Sequence, residues 1–152
     1  MGELAVFRDG KRLTLPKSRK TLALLAYLVG TGRRHTRERL CELLWELPDD
    51  PRGALRWSLS KLRTLVDEGE TKRIVADRSG VVFDGSGVVT DVDQLKNSSA
   101  ANPQDLADES LQALFLDQLD MPDSPGFQIW RAAERRELAT LQAAILQSLV
   151  ND

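Results

Sequence analysis

Hydrophobic positions in this 152-residue chain change their period along its length. Near the start they alternate. Residues 3–8 and 12–15 read as alternating strands and flank Asp9-Gly10, a pair suited to the tight turn of a β-hairpin. Pro16 ends the second strand, because it has no N–H to give a ladder. The period then lengthens to that of a helix. Leu22, Leu25, Ala26 and Val29 recur at helical spacing over 19–29, behind Ser18 as N-cap, and Gly30 and Gly32 end the run. Leu40, Leu43, Leu44 and Leu47 repeat that spacing over 37–47, with Thr36 as cap and Pro48 beyond. A third helix is predicted over 51–66, with Asp50 as N-cap and Pro51 at the first position, where a missing N–H costs nothing. After Gly69 the composition changes to that of strands. Residues 73–76 and 81–83 read as strands joined by Asp77-Arg78-Ser79-Gly80, in which Asp first and Gly fourth favour a type I turn. Asp84-Gly85-Ser86-Gly87 makes another turn before a further strand candidate at 88–92.

Strands, three short helices and a hairpin make the order of a winged helix-turn-helix. The expected fold class is therefore α+β: N-terminal antiparallel strands, the helices, and a C-terminal wing hairpin. The rest of the chain reads as all-α. Residues 103–116, PQDLADESLQALFL, are helical, MPDSPGF is a break, and 124–149 form a long helix with Phe127, Trp130, Leu138, Leu141, Ile145 and Leu149 on its apolar side. Two domains are expected, 1–93 and 94–152.

The third helix carries the most information. At about 100° per residue, Leu55, Leu59, Leu62 and Val66 define its core stripe. Gly53, Trp57, Ser60 and Thr64 then point away from the core, with Arg56, Lys61 and Arg63 on the shoulders. No acid occurs between Pro51 and Val66. Small polar residues at the centre allow close approach to a groove floor, and flanking cations can reach phosphates or guanine edges. Arg78, at the hairpin tip, is placed for a neighbouring minor groove or backbone. Taken alone, these charges better suit a solvated surface helix. The acid-free stretch, the capped helix before it and the hairpin after it together favour a groove-binding one.

Charge changes the picture once it is divided. The formal net charge of −2 does not by itself suggest a polyanionic partner. Yet residues 1–96 carry 18 Lys+Arg against 14 Asp+Glu, a surplus of four cations, while residues 97–152 carry 3 against 9, a surplus of six acids. Local field decides polyanion binding, so the first segment is the one to examine. One cysteine leaves no internal disulfide and fits a reducing compartment, so a cytoplasmic protein is expected. No apolar run approaches the roughly 18 residues of a membrane span.

The strand pair ELAVFRDGKRLTL, the segments SRKTLALLAYLV, RRHTRERLCELLW and ALRWSLSKLR, and the hairpin ending in Ser79-Gly80 together resemble the OmpR-type winged-helix domain of SARP-family transcription regulators. The resemblance covers residues 2–93. It implies that 37–47 is the positioning helix, 51–66 the recognition helix and 73–83 the wing. By position, Ser58, Ser60, Lys61 and Arg63 match residues that such domains turn toward DNA, although helical geometry puts Ser58 near the core edge. Val81 stands where many relatives have an aromatic residue, and Trp57 where a smaller aliphatic one is usual. An outward Trp57 contacts bases or sugar, or else packs on the wing or on a partner. The stretch MPDSPGFQIWRAAERREL resembles the opening of a bacterial transcriptional activator domain, which is built from tetratricopeptide-like helix pairs. About one pair is present, and such repeats need neighbours, so the segment is expected to belong to a longer regulator or to form a homodimer. The first strand starts within a few residues of Met1, so no receiver domain is expected upstream.

Enzymatic chemistry finds no support. His35 and Cys41 are the only residues of their kinds, Asp50 is explained as a cap, and the glycines at 85 and 87 lack the lysine and helix of a phosphate loop. No cofactor, metal or catalytic residue is expected. Cys41, in a leucine-rich helix, reads as a core or boundary residue. His35, beside Arg33 and Arg34, is a loop residue within reach of a phosphate. The expected function is sequence-specific binding of double-stranded DNA by a transcriptional regulator, an activator that contacts RNA polymerase. Lys17, Arg19, Arg37, Arg56 and Arg63 would anchor phosphates, Ser60 and Lys61 would read bases with Trp57 and Thr64 on the same face, and Arg78 would be the wing contact. The alternative is a winged-helix module that binds a protein partner.

Overall fold

A computed structural model of the chain describes residues 4–8, 11–45, 50–67, 70–86, 88, 90 and 119–151. Among these residues are four helices and two small antiparallel sheets, an α+β arrangement. The chain divides into two compact units. One comprises Ala5–Ser86 with Met121–Gln128, the other Met1–Leu4, Gly87–Asp120 and Ile129–Asp152.

In the first unit, β1 (Phe7–Arg8) pairs with β2 (Lys11–Arg12), Phe7 opposite Arg12 and Arg8 opposite Lys11. The pair is shorter than the alternation predicts, and Asp9-Gly10 lies outside the described residues. Phe7 is 62% exposed, and a two-stranded pair with an exposed aromatic sustains few rungs. The Arg8 guanidinium donates to the Leu65 carbonyl at 2.7 Å, tying the hairpin to a helix C-terminus whose carbonyls lack helical partners.

The helices begin at their predicted caps. Helix α1 (Arg19–Thr31) starts where Ser18 Oγ accepts from the Thr21 N–H at 3.3 Å. It runs two residues past the predicted end and keeps Gly30 inside, because the stop is made by Gly32, whose φ of 62° is a left-handed conformation cheap only for glycine. Helix α2 (Arg37–Leu44) starts where Thr36 Oγ1 accepts from the Arg39 N–H at 3.1 Å. It ends three residues before the predicted 47, since the backbone leaves the helix at Trp45, whose indole is buried; Leu47 and Pro48 lie outside the described residues. Helix α3 (Pro51–Val66) has the predicted bounds, and Asp50 Oδ1 accepts from the Gly53 N–H at 2.9 Å.

Strands β3 (Ile74–Ala76) and β4 (Val81–Phe83) pair with Ile74 opposite Phe83 and Ala76 opposite Val81. β3 begins one residue later than predicted. The Arg73 and Ile74 N–H groups both donate to Asp67 Oδ1, at 2.7 and 3.1 Å, so the residue closing α3 also positions β3. Val88 and Thr90 lie in no strand, and the rest of 88–92 is outside the described residues.

The core of this unit joins the three helices to the hairpin. Leu24, Leu28, Leu40, Leu44, Leu55, Leu59, Leu62 and Val81 are fully buried, each contributing about 1.5–3 kcal/mol of transfer free energy. Residues 121–128 complete it. The Ser124 N–H donates to the Met121 carbonyl at 2.9 Å, the Met121 N–H donates to Gln128 Oε1 at 2.9 Å, and Phe127 is fully buried. Gly126 packs so closely that an added Cβ would lie 3.1 Å from Leu43 Cδ1.

Helix α4 (Pro125–Asn151) starts there and continues through the second unit. Leu119 and Leu138 are buried, and Arg131 donates to Asp120 Oδ1 at 3.3 Å. Trp130 and Leu141 are half-buried, whereas Ile129 is exposed; the side chains of Ile145 and Leu149 and the predicted helix at 103–116 lie outside what is described. No described helix is long and apolar enough to cross a membrane.

Candidate nucleic-acid interface

The inner face of α3 is set by leucines. Leu55, Leu59 and Leu62 are buried as the periodicity predicts, but the end of the stripe is Leu65, with Val66 only half-buried. Ser58 is also buried, 2% exposed, and its hydroxyl lies 2.8 Å from Thr21 Oγ1 of α1, itself fully buried. Ser58 and Leu65 share one side of the stripe, so the buried sector is rotated toward α1. This corrects the positional match: Ser58 is not on the outer face, because its hydroxyl satisfies a buried threonine.

The outer face is polar and cationic. Trp57 is 51% exposed, Ser60, Thr64, Arg52, Arg56, Lys61 and Arg63 are exposed, and Gly53 is half-buried. Lys61 Nζ lies 5.5 Å from the Trp57 ring centroid, within cation–π range. Thr64 Oγ1 donates to the Ser60 carbonyl at 3.2 Å, which spends its proton on the helix. Among the described residues, Arg52, Arg56, Lys61 and Arg63 make no ion pair. A face of cations and hydroxyls with no acid along its sixteen residues suits an anionic surface. Lys17 and Arg19 are exposed at the head of α1.

The hairpin turn is organised differently. Asp77 Oδ1 accepts from the Ser79 N–H at 2.8 Å, the Ser79 hydroxyl at 2.7 Å and the Gly80 N–H at 3.1 Å, and it also pairs with Arg34. Arg34 donates to Ser79 Oγ at 2.6 Å as well, and Arg37 Nε donates to the Asp77 carbonyl at 2.8 Å. The Ser79 hydroxyl first, and then Arg34, hold the Asp77 carboxyl well below the usual carboxylate range. Arg37, expected at a phosphate, is half-buried and directs its Nε to this turn. Arg78 remains exposed at the tip and, among the described residues, makes no ion pair.

Sequence reasoning missed the element that holds this hairpin. His35 is a core residue, 3% exposed, with its ring tilted against Tyr27 at a centroid distance of 4.7 Å. Its N–H donates to the Val81 carbonyl at 2.9 Å, and the Val81 N–H donates back at 2.8 Å, so the α1–α2 connection pairs with β4. Gly80 lies so close that an added Cβ would fall 2.5 Å from the His35 carbonyl. Thr31 Oγ1 donates to the Tyr27 carbonyl at 2.7 Å and lies 2.7 Å from His35 Nε2. With the threonine proton given to Tyr27, a hydrogen on His35 Nε2 completes that contact. Burial, aided by Arg33 and Arg39, lowers the imidazole pKa and favours the neutral ring. A histidine one residue before a helix cap carries no local mark of this role.

Cys41 is 8% exposed, and burial pushes its thiol pKa up, away from nucleophilic use. Among the described residues no group of three His, Cys, Asp or Glu side chains could hold a metal ion. No family model matches the chain, and no curated protein matches it either.

Proposed function

We propose that this chain is a sequence-specific DNA-binding transcriptional regulator of the winged helix-turn-helix type, similar in plan to SARP-family activators. Helix α2 positions α3, α3 enters the major groove of double-stranded DNA, and the β3–β4 hairpin acts as the wing on the adjacent backbone or minor groove. The observation that carries this reading is the outer face of α3. Its four cations make no ion pair among the described residues, and no acid interrupts them, while the opposite face is locked into the core. Arg56 and Arg63 anchor phosphates, with Lys17 and Arg19 on α1. Ser60, Lys61, Thr64 and Trp57 face base edges, and Arg78 is the wing contact. The helical segment at 94–152 would be tetratricopeptide-like, would mediate a homodimer and would contact RNA polymerase.

Half-exposed Trp57 favours a second reading, a module that binds a protein, because tryptophan is a frequent anchor of protein interfaces. A salt titration with random-sequence duplex separates the two. Binding through several phosphates weakens with a log–log slope of about −0.9 per contact. A slope of −4 or steeper supports the DNA reading; absence of any salt-dependent association at low ionic strength leaves the protein-binding one.

A further inference from the structure

We propose that Trp57 and Lys61 act as one reading unit that selects a thymine, Trp57 by packing on its 5-methyl group and Lys61 by bonding to an acceptor beside it. The proposal rests on the DNA reading above and names what that face prefers. Side chains on a helix lean toward its N-terminus, so Lys61 reaches back over Trp57, one turn earlier. The ammonium, 5.5 Å from the ring centroid, is drawn to the indole face. The contact favours this pairing before any ligand arrives and keeps a donor-only cation beside an apolar surface.

Chemistry in the major groove then narrows the choice. The thymine methyl is the group among the base edges there that offers a sizeable apolar contact. An indole pressed on the amino group of adenine or cytosine, or on the acceptors of guanine, strips them of water and leaves them largely unpaired. Lys61 has three donors and no acceptor, so it too rejects amino groups. Thymine presents its methyl and its O4 acceptor side by side, and a neighbouring guanine offers O6 and N7 to the same ammonium. Ser60 and Thr64, which share the outer face, are small, so the half-exposed indole is the group that protrudes.

The test uses the whole chain. A preferred site is selected from random duplex, and each thymine in it is replaced by uracil, which removes the methyl and keeps O4. At one position the wild-type protein should lose about fourfold in affinity, the worth of one buried methylene. Trp57→Ala should bind more weakly and be indifferent to uracil at that position. Trp57→Gln, a better helix former at an exposed position, should behave the same way if the alanine variant folds poorly. Lys61→Ala should lose discrimination at the adjacent acceptor while still sensing the methyl. If uracil is neutral at every position for the wild type, or if both Trp57 variants keep the sensitivity, the reading unit is wrong and the DNA reading stands. If random duplex shows no salt-dependent association, both fall.

Discussion

Two basic regions of the molecule use their arginines in opposite ways. On the outer face of α3, Arg56, Lys61 and Arg63 are exposed and make no ion pair among the described residues. At the β3–β4 turn, Arg34 and Arg37 are directed to the Asp77 side chain and carbonyl, leaving Arg78 at the tip. Both regions are rich in arginine. They differ in whether the cation already has an acceptor, and that decides what each can do. An arginine without a partner offers its full donor set to an incoming anion, whereas one that satisfies a turn holds the shape of the hairpin. Substitution should therefore change affinity at α3 and stability at the turn.

The largest expected effect tests the first half. Arg56→Ala with Arg63→Ala should weaken binding to duplex DNA roughly 60-fold at 0.1 M salt and flatten the log–log salt slope by about 2. Urea unfolding should move by less than about 0.5 kcal/mol, because both side chains are exposed. A large loss of stability, or an unchanged slope, would break the contrast. The second half is tested at Gly80, where a Cβ meets the His35 carbonyl. Gly80→Ala should cost about 1–3 kcal/mol in urea unfolding, since backbone must shift to admit it. Affinity per folded molecule should fall less than in the double arginine variant.

What could be read from the chain, and what could not, follows the same line between local and distant causes. Ser18, Thr36 and Asp50 were legible as caps because a cap bonds to N–H groups within its own first turn. The bounds of α3 and the exposure of Trp57, Ser60 and Thr64 follow from the period of one helix. The burial of Ser58 depends on Thr21, 37 residues away, and the commitment of Arg34 on Asp77, 43 residues away. No periodicity reports such pairs. The ends of α1 and α2 were misplaced for a related reason: Gly32 takes the left-handed stop and Trp45 turns into the core, and both are settled by packing.

The buried His35 ring, on the residue whose backbone pairs with β4, makes this side of the comparison sensitive to pH. The folded chain holds its one histidine below the ordinary pKa, so the unfolded chain binds that proton more tightly. The stabilisation is complete above about pH 6.5 and is lost as pH falls through the lower folded value. Chemical unfolding between pH 7.5 and 5 should show stability falling as the solution becomes more acid. The single imidazole resonance should titrate below free histidine. An imidazole titrating at or above the ordinary value would mean that the ring's burial does not exclude its charged form.

The smallest effect concerns Asp77, whose carboxylate is exposed to solvent. Its lowered pKa means that its contribution is present at neutral pH and is lost only in strong acid, below the ordinary carboxylate range near 3.9. The loss set by His35 begins from about pH 6.5, well above this onset, so the two onsets can be told apart in one titration. Asp77→Asn keeps the size of the side chain and an acceptor oxygen for the Ser79 and Gly80 N–H groups but removes the charge that holds Arg34. Its thermal midpoint at neutral pH should drop slightly at low salt and match the wild type at high salt, where an exposed pair is screened. Its stability should also be flatter below pH 4, while the decline between pH 7.5 and 5 persists. Arg34, released beside Arg78, adds a cation to the tip, so duplex affinity should rise rather than fall. A fall would show that the turn must hold Arg78 in one place to be useful, and that the hairpin's arginines serve binding through shape rather than through charge.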